Sequence, residues 1–321
     1  MTALDVTDLL PDDLLERIRS RAAAHDRDNT FPDDDLTELK AAGYLAALAP
    51  TDLGGAGLGL AEVSVLQQRL AGAAPATALA VNMHLVWTGV AKVLRDRGIH
   101  DLDHVLEGAV AGEVYAFGIS EAGNDLVLFG SDTDAAPQPD GGYAFTGTKI
   151  FTSLAPVWTQ LGLHGLDTTS PDGPKLVYAF VPRGEEQQGR VVTRDDWDTV
   201  GMRGTQSRTT ELHGALAPAD RIARRIAPGP SPDPLVFAIF SVFELLLASV
   251  YTGIAHRALE VAVTTAKSVV DDAVLVAGGS SYFAGAELGR LYRDVLAGLF
   301  HPSDPESAHA TAATAWLGPL A

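Results

Sequence analysis

Apolar positions in the first third of the chain recur at helical spacing. Leu14, Leu15, Ile18 and Ala22 share one face of a helix that starts near Pro11-Asp12. Leu36, Leu39 and Ala42 share a face of a second helix, opened by Pro32-Asp33-Asp34-Asp35 and closed by Gly43. The same reading predicts helices over 60–73, 76–95 and 101–111. The period then changes: Tyr143-Ala144-Phe145-Thr146-Gly147 and Leu176-Val177-Tyr178-Ala179-Phe180-Val181 are short β-rich runs bounded by Gly, Pro and Asp. The proline-rich Pro228-Gly229-Pro230-Ser231-Pro232-Asp233-Pro234 is a linker stiffened by its fixed φ angles. Beyond it the pattern predicts a long apolar helix over 235–267 and shorter ones over 269–277, 286–298 and 304–316, with Gly278-Gly279 breaking the first two short ones apart. A small β-domain therefore lies between helical parts, and no internal repeat is visible.

Composition narrows the chemistry. The 321 residues exceed what one core usually serves, so two or three domains are expected. The absence of cysteine excludes disulfides, thiolate nucleophiles and Cys-ligated metal, and no metal site is expected. A net charge of −18, from 41 acidic against 23 basic residues, repels nucleic acid and anionic membrane, so neither is an expected partner. The N-terminal residues lack a basic region followed by an apolar one, and no uninterrupted apolar run is long enough for a membrane span, so a cytoplasmic location is expected. An anionic nucleotide cofactor stays compatible with the charge if arginines such as Arg203, Arg290 and Arg293 are grouped locally. The glycine-rich Ala49–Gly59 segment lacks the Gly-Lys-Ser/Thr ending of a phosphate loop and is read as a connection between helices.

Three motifs carry a family resemblance: the turn Ser120-Glu121-Ala122-Gly123-Asn124-Asp125, the run Lys149-Ile150-Phe151-Thr152-Ser153, and Gly201-Met202-Arg203-Gly204-Thr205-Gln206-Ser207. In order and spacing they resemble the middle domain of the acyl-CoA dehydrogenase family. The resemblance implies an α+β protein with an N-terminal helical domain (1–111), a middle flavin-binding β-barrel (112–230) and a C-terminal helical bundle (231–321). It further implies FAD as cofactor, with Phe117, Ile119 and Ser120 forming one wall and polar edge of the flavin site. Phe151 and Ser153 would lie against the ring and near N5, Asp125 would order the turn, and Arg203 would help place the cofactor domain. Gly278-Gly279-Ser280-Ser281-Tyr282-Phe283 with Arg290-Leu291-Tyr292-Arg293-Asp294 resembles the C-terminal motif whose glycines, here Gly278 and Gly279, approach a neighbouring subunit's flavin. Ser281 and Gly289 depart from that motif.

Two further departures bear on function. Ala266-Lys267-Ser268 runs almost directly into Val269-Val270-Asp271, so a helical hairpin of the family bundle is absent. The apolar faces so exposed would need cover, and a homo-oligomer is expected. The segment Leu299-Phe300-His301-Pro302-Ser303 stands where most relatives place the glutamate that removes the substrate's α-proton. Some relatives use a glutamate on the long helix instead, and Glu244 lies about one residue, or about 100° of rotation, from that position. The leading expectation is α,β-dehydrogenation of an acyl thioester with Glu244 as base, electrons passing to a separate acceptor. The alternative is a two-component monooxygenase of the same fold using reduced FMN from a flavin reductase on another small molecule. There His84 and His301 would supply hydrogen bonds or protons near neutral pH. A third reading is a non-catalytic scaffold that has lost flavin chemistry.

Overall fold

The computed structural model describes residues 6–282 and 286–296. The chain forms two compact units, Met1–Tyr251 and Thr252–Ala321. The first begins with five helices: α1 (Asp12–Asp28), α2 (Asp33–Ala41), α3 (Leu60–Ala73), α4 (Pro75–Arg95) and α5 (Asp103–Val110). Leu14, Leu15 and Ile18 of α1 and Leu36 and Leu39 of α2 are buried, as their spacing requires. Pro75 stands in the first turn of α4, where its missing N–H costs nothing. The glycine-rich connection between α2 and α3 is folded on itself: a Cβ at Gly55 would overlap the Ala49 carbonyl, so close backbone approach explains that glycine.

Eight strands follow: β1 (Tyr115–Gly118), β2 (Asp134–Pro137), β3 (Tyr143–Thr152), β4 (Gln160–Asp167), β5 (Lys175–Pro182), β6 (Val191–Thr193), β7 (Arg208–Ala217) and β8 (Ile222–Ile226). They form one sheet in the order β6-β7-β3-β2-β4-β5-β8, with β1 pairing in parallel along the first half of β4. This corrects the expected β-barrel: the sheet is open. One edge strand, β6, has only three residues, and the other, β8, carries Arg224 and Arg225. Arg224 is drawn into ion pairs with Asp101 (2.5 Å) and Asp233 (3.6 Å), and a short or charged edge resists further pairing.

Helix α4 docks the helical layer on the sheet. Trp87 is fully buried, donates Nε1–H to the Ala116 carbonyl (3.0 Å), and meets Phe117 and Phe180 at ring centroid distances of 5.3 and 4.9 Å. Gly162 of β4 lies beneath that indole, where any Cβ would collide with it. Helix α6 (Pro234–Ala277) starts in the first unit, where Leu235, Val236, Ile239, Val242 and Leu246 are buried. Both α4 and α6 are long and apolar enough to cross a membrane, although the sequence contained no uninterrupted run of that kind. Most of α4 is buried inside the protein, as in a core helix.

In the second unit α6 continues to Ala277 without the break expected near Ser268. The segment has no helix breaker there, and Lys267 pairs with Asp271 one turn on at 2.6 Å. Gly278, at φ +60°, ends the helix, and α7 (Glu287–Leu296) follows. The Lys267 ammonium lies 5.9 Å from the Tyr292 ring centre. The helix expected over 304–316 lies outside the described residues.

Candidate active site

A cavity of 280 Å³ opens in the first unit between α4, the β1 and β3 ends, the 197–207 loop and the start of α6. Leu79 and Met83 reach it from α4, and Phe243, Leu247 and Tyr251 from α6, each set one helical turn apart. Phe117 stacks on Phe243 with 27° between ring planes and centroids 5.4 Å apart. Phe151 stands edge-on to Trp197 at 6.2 Å and 90°. Ser120, Ser153, Thr205 and Ser207 add hydroxyls to this largely apolar lining.

Backbone irregularity aims these side chains. Between Lys149 and Thr152 the pairing of β3 with β7 gains one residue, a bulge that frees the Ile150 N–H to bond the Ser120 carbonyl (2.9 Å). Phe151 in that bulge has φ +55° and is 59% exposed at the cavity. Leu154, Met202 and Gln206, at φ +63°, +57° and +45°, occupy the same left-handed region. Such conformations in side-chain-bearing residues cost about 1–3 kcal/mol each and persist where surrounding contacts over-determine them. The 197–206 loop is held in this way by the end of α1: Asn29 Nδ2 donates to the Trp197 carbonyl (2.6 Å) and Gln206 Nε2 to the Asn29 carbonyl (2.9 Å).

Next in the chain to Ser120 and at the start of the β3 bulge lie the two members of a buried ionic knot. Lys149, wholly buried, places Nζ 2.6 Å from Glu121 Oε1 and 2.8 Å from the His164 carbonyl. The Glu121 carboxylate also accepts from the hydroxyls of Thr133 (2.5 Å) and Ser131 (2.8 Å) and from the Asp132 N–H (2.8 Å). Burial alone would raise the Glu121 carboxyl, but the Lys149 charge and these donors outweigh it and hold it well below the usual carboxylate range. Burial, then the neighbouring Lys149 ammonium, pushes His164 down to about 4. Glu121, rather than the expected Asp125, organises the turn beside Ser120, helped by Asn124, whose Oδ1 accepts the Leu126 N–H at 2.9 Å.

Of the residues singled out in the sequence, Phe117, Ser120, Phe151 and Ser153 meet at the cavity. Ile119 is buried beside it without lining it. Arg203 points away, bonding the Asp26 carbonyl (2.8 Å) and Asp198 (2.6 Å), so it secures the loop to α1. Gly278 and Gly279 belong to the second unit, and His301 lies outside the described residues.

Two catalytic expectations change. His84 is fully buried; its Nε2–H donates to the Leu45 carbonyl (2.8 Å) and its Nδ1 accepts the Tyr115 N–H (3.2 Å). Both nitrogens are thus used by backbone, and burial pushes the ring down to about 4, which keeps it neutral. His84 is a structural pin, while its neighbour Met83 faces the cavity. Glu244 is exposed, and the adjacent Phe243 takes the cavity-facing position, because one residue turns the helix by about 100°. Glu244→Gln is expected to leave flavin binding and flavin-linked turnover within about twofold of wild type, since surface substitutions seldom exceed about 0.5 kcal/mol; a hundredfold loss of turnover would restore Glu244 as a base.

The sequence reading missed Met83, Trp197, Phe243, Leu247 and Tyr251. The 243-247-251 spacing on an apolar helix was an available signal for three of them. Among the described residues, none that lines the cavity is a carboxylate or a histidine, and no group of acidic or histidine side chains is arranged to hold a metal.

Residues 11–96 match the model of the acyl-CoA dehydrogenase N-terminal domain, and residues 245–303 match that of the acyl-CoA dehydrogenase C-terminal domain. The chain is 26% identical to a dibenzothiophene monooxygenase of Rhodococcus qingshengii over 259 residues, covering 78% of this chain and 59% of the relative. It therefore spans well under two thirds of that protein's length. It is also 26% identical to the L-evernosamine nitrososynthase of a Micromonospora species over 373 residues, covering 92% of this chain and 85% of the relative. That alignment is longer than the 321-residue chain, so the nitrososynthase carries residues with no counterpart here. Among solved structures, KijD3 in complex with FMN and a dTDP-linked amino-keto sugar superposes with a TM-score of 0.62 at 26% identity, covering 100% of this chain and 96% of that one.

Proposed function

From a chain whose two helical ends are acyl-CoA dehydrogenase-like, we propose a flavin-dependent monooxygenase of the two-component kind, which takes up reduced FMN from a separate reductase and oxygenates a small neutral substrate. The observation that carries this reading is the cavity lining: aromatic and aliphatic walls, a row of hydroxyls, and, among the described residues that line it, no carboxylate or histidine. Removal of an α-proton from an acyl thioester needs an aimed base, and Glu244 is exposed. The relatives with monooxygenase and nitrososynthase activity point the same way.

The residues present fit an isoalloxazine. Its ring faces need apolar or aromatic contact and its polar edge needs hydrogen-bonding partners, and Phe117, Phe151 and Trp197 line one cavity together with Ser120 and Ser153. When bound, reduced flavin supplies the two electrons that let molecular oxygen place one atom on substrate and leave the other as water. The chain's own part is positioning and exclusion: the Phe117–Phe243 stack backs one wall, and Leu79, Met83 and Leu247 keep the space dry. None of the described lining residues is charged, which favours an uncharged, apolar substrate over a CoA ester or nucleotide sugar.

The test supplies the protein with FMN and a flavin reductase under air, with dibenzothiophene as probe, and follows oxygenated product and peroxide. Product formation above the reductase-only control is expected. In parallel, protein reconstituted with FAD is mixed anaerobically with acyl-CoAs of several lengths, and the flavin absorbance is expected to persist. Bleaching by an acyl-CoA would replace the proposal with acyl dehydrogenation, and failure to bind either flavin in either redox state would replace it with the scaffold reading.

A further inference from the structure

The hydroxyls at the cavity form a chain whose direction can be read. Thr205 Oγ1 lies 2.8 Å from the Met202 carbonyl oxygen, which has no proton to give, so Thr205 spends its single hydroxyl proton there. Ser207 Oγ is 2.7 Å from Thr205 Oγ1, and Ser153 Oγ is 2.7 Å from Ser207 Oγ. With the Thr205 proton committed, Ser207 must donate to Thr205, and Ser153 must in turn donate to Ser207. Ser153 then shows the cavity only lone pairs. All three side chains are buried, with Thr205 at 0%, Ser153 at 5% and Ser207 at 6% exposure, so water offers little alternative orientation.

The anchor is itself over-determined. The Met202 carbonyl also accepts the Thr205 N–H (3.0 Å) and the Trp197 Nε1–H (3.4 Å), and Met202 holds φ +57°. The left-handed residue turns a carbonyl toward Thr205 and so sets the polarity of the whole row. Sequence alone shows Thr205 and Ser207 as two small polar residues and cannot assign that polarity.

We infer that Thr205, acting through Ser207, fixes Ser153 as a hydrogen-bond acceptor toward the cavity and thereby makes the site select reduced over oxidised flavin. This rests on the flavin reading above. Oxidised isoalloxazine carries a bare acceptor at N5, whereas the reduced ring carries an N–H there. With Ser153 facing N5, as the family resemblance implies, an acceptor-only hydroxyl pairs with the second and opposes the first. Thr205 is thus a positioning residue: its own hydroxyl proton is spent on the Met202 carbonyl, and it acts on the ligand through Ser207 and Ser153.

The test is the ratio of affinities for oxidised and dithionite-reduced FMN, measured anaerobically by fluorescence and absorbance titration on the full chain. Wild type is expected to bind the reduced form roughly tenfold tighter, the scale of one buried neutral hydrogen bond. Thr205→Val keeps the shape but removes the acceptor, and Ser207→Ala releases Ser153 from its partner; each should bring the ratio close to one. Thr205→Ser keeps the hydroxyl and should keep the ratio. An unchanged ratio in folded Thr205→Val and Ser207→Ala, with FMN still bound, overturns the inference and leaves the flavin reading intact. Absence of FMN binding by wild type in both redox states overturns both.

Discussion

Replacing Lys149 by methionine is expected to destabilise the protein by about 3–5 kcal/mol, because it leaves the Glu121 carboxylate buried without its counter-charge. The side chains are 0% and 3% exposed, so water cannot substitute for the lost ammonium. The remaining donors from Ser131, Thr133 and Asp132 ease the cost but carry no full charge. Adding Glu121→Gln to Lys149→Met should recover much of the loss, since the penalty belongs to the orphaned charge rather than to the missing pair. Urea unfolding of wild type, single and double variants measures both terms. A double variant no more stable than Lys149→Met would show that the knot acts through shape alone. The same carboxylate predicts acid sensitivity. Its folded-state pKa lies below the unfolded value of about 4.3, so its contribution is present above that pH and is lost as pH falls through the depressed folded value. The double variant should lack that component of the acid slope.

Trp87→Ala is expected to cost about 3–5 kcal/mol and to weaken flavin binding as well. The indole fills the space that Gly162 leaves open, donates to the Ala116 carbonyl at 3.0 Å, and braces Phe117 from behind. Its removal creates a cavity, strands a carbonyl and loosens the Phe117–Phe243 wall in one step. Trp87→Phe keeps part of the volume but loses the donor, so it should fall between wild type and alanine in unfolding midpoint and in FMN affinity. Full-strength flavin binding by a destabilised but folded Trp87→Ala would separate the helix–sheet anchor from the site and refute the bracing role.

The contrast between His84 and Ser153 shows what was legible beforehand. Ser153 sits in a run whose spacing already singled it out, and the fold delivers it to the cavity beside Phe117, Ser120 and Phe151. His84 sits on a helix buried along most of its length, where the pattern marks burial but not which atoms the ring meets; the Leu45 carbonyl and Tyr115 N–H are 39 and 31 residues away in the chain. Glu244 failed by one helical step, a rotation that depends on how α6 packs. The barrel expectation failed at the edges, where three-residue β6 and arginine-bearing β8 leave the sheet open.

What the amino-acid sequence determined by itself is what depends on local period and punctuation: helices before and after a β-region, the proline-rich linker, the helix ending at Gly278, and the three motifs in their order. Side chains three or four apart share a helix face whatever else the chain does. Only the tertiary structure decided which of those faces meet. It paired Lys149 with Glu121, turned Phe243 rather than Glu244 to the cavity, and pointed the Met202 carbonyl at Thr205 so that the proton order of the row became readable. Each of these joins groups brought together by long-range packing or by a single left-handed residue, and neither leaves a repeating trace in the sequence.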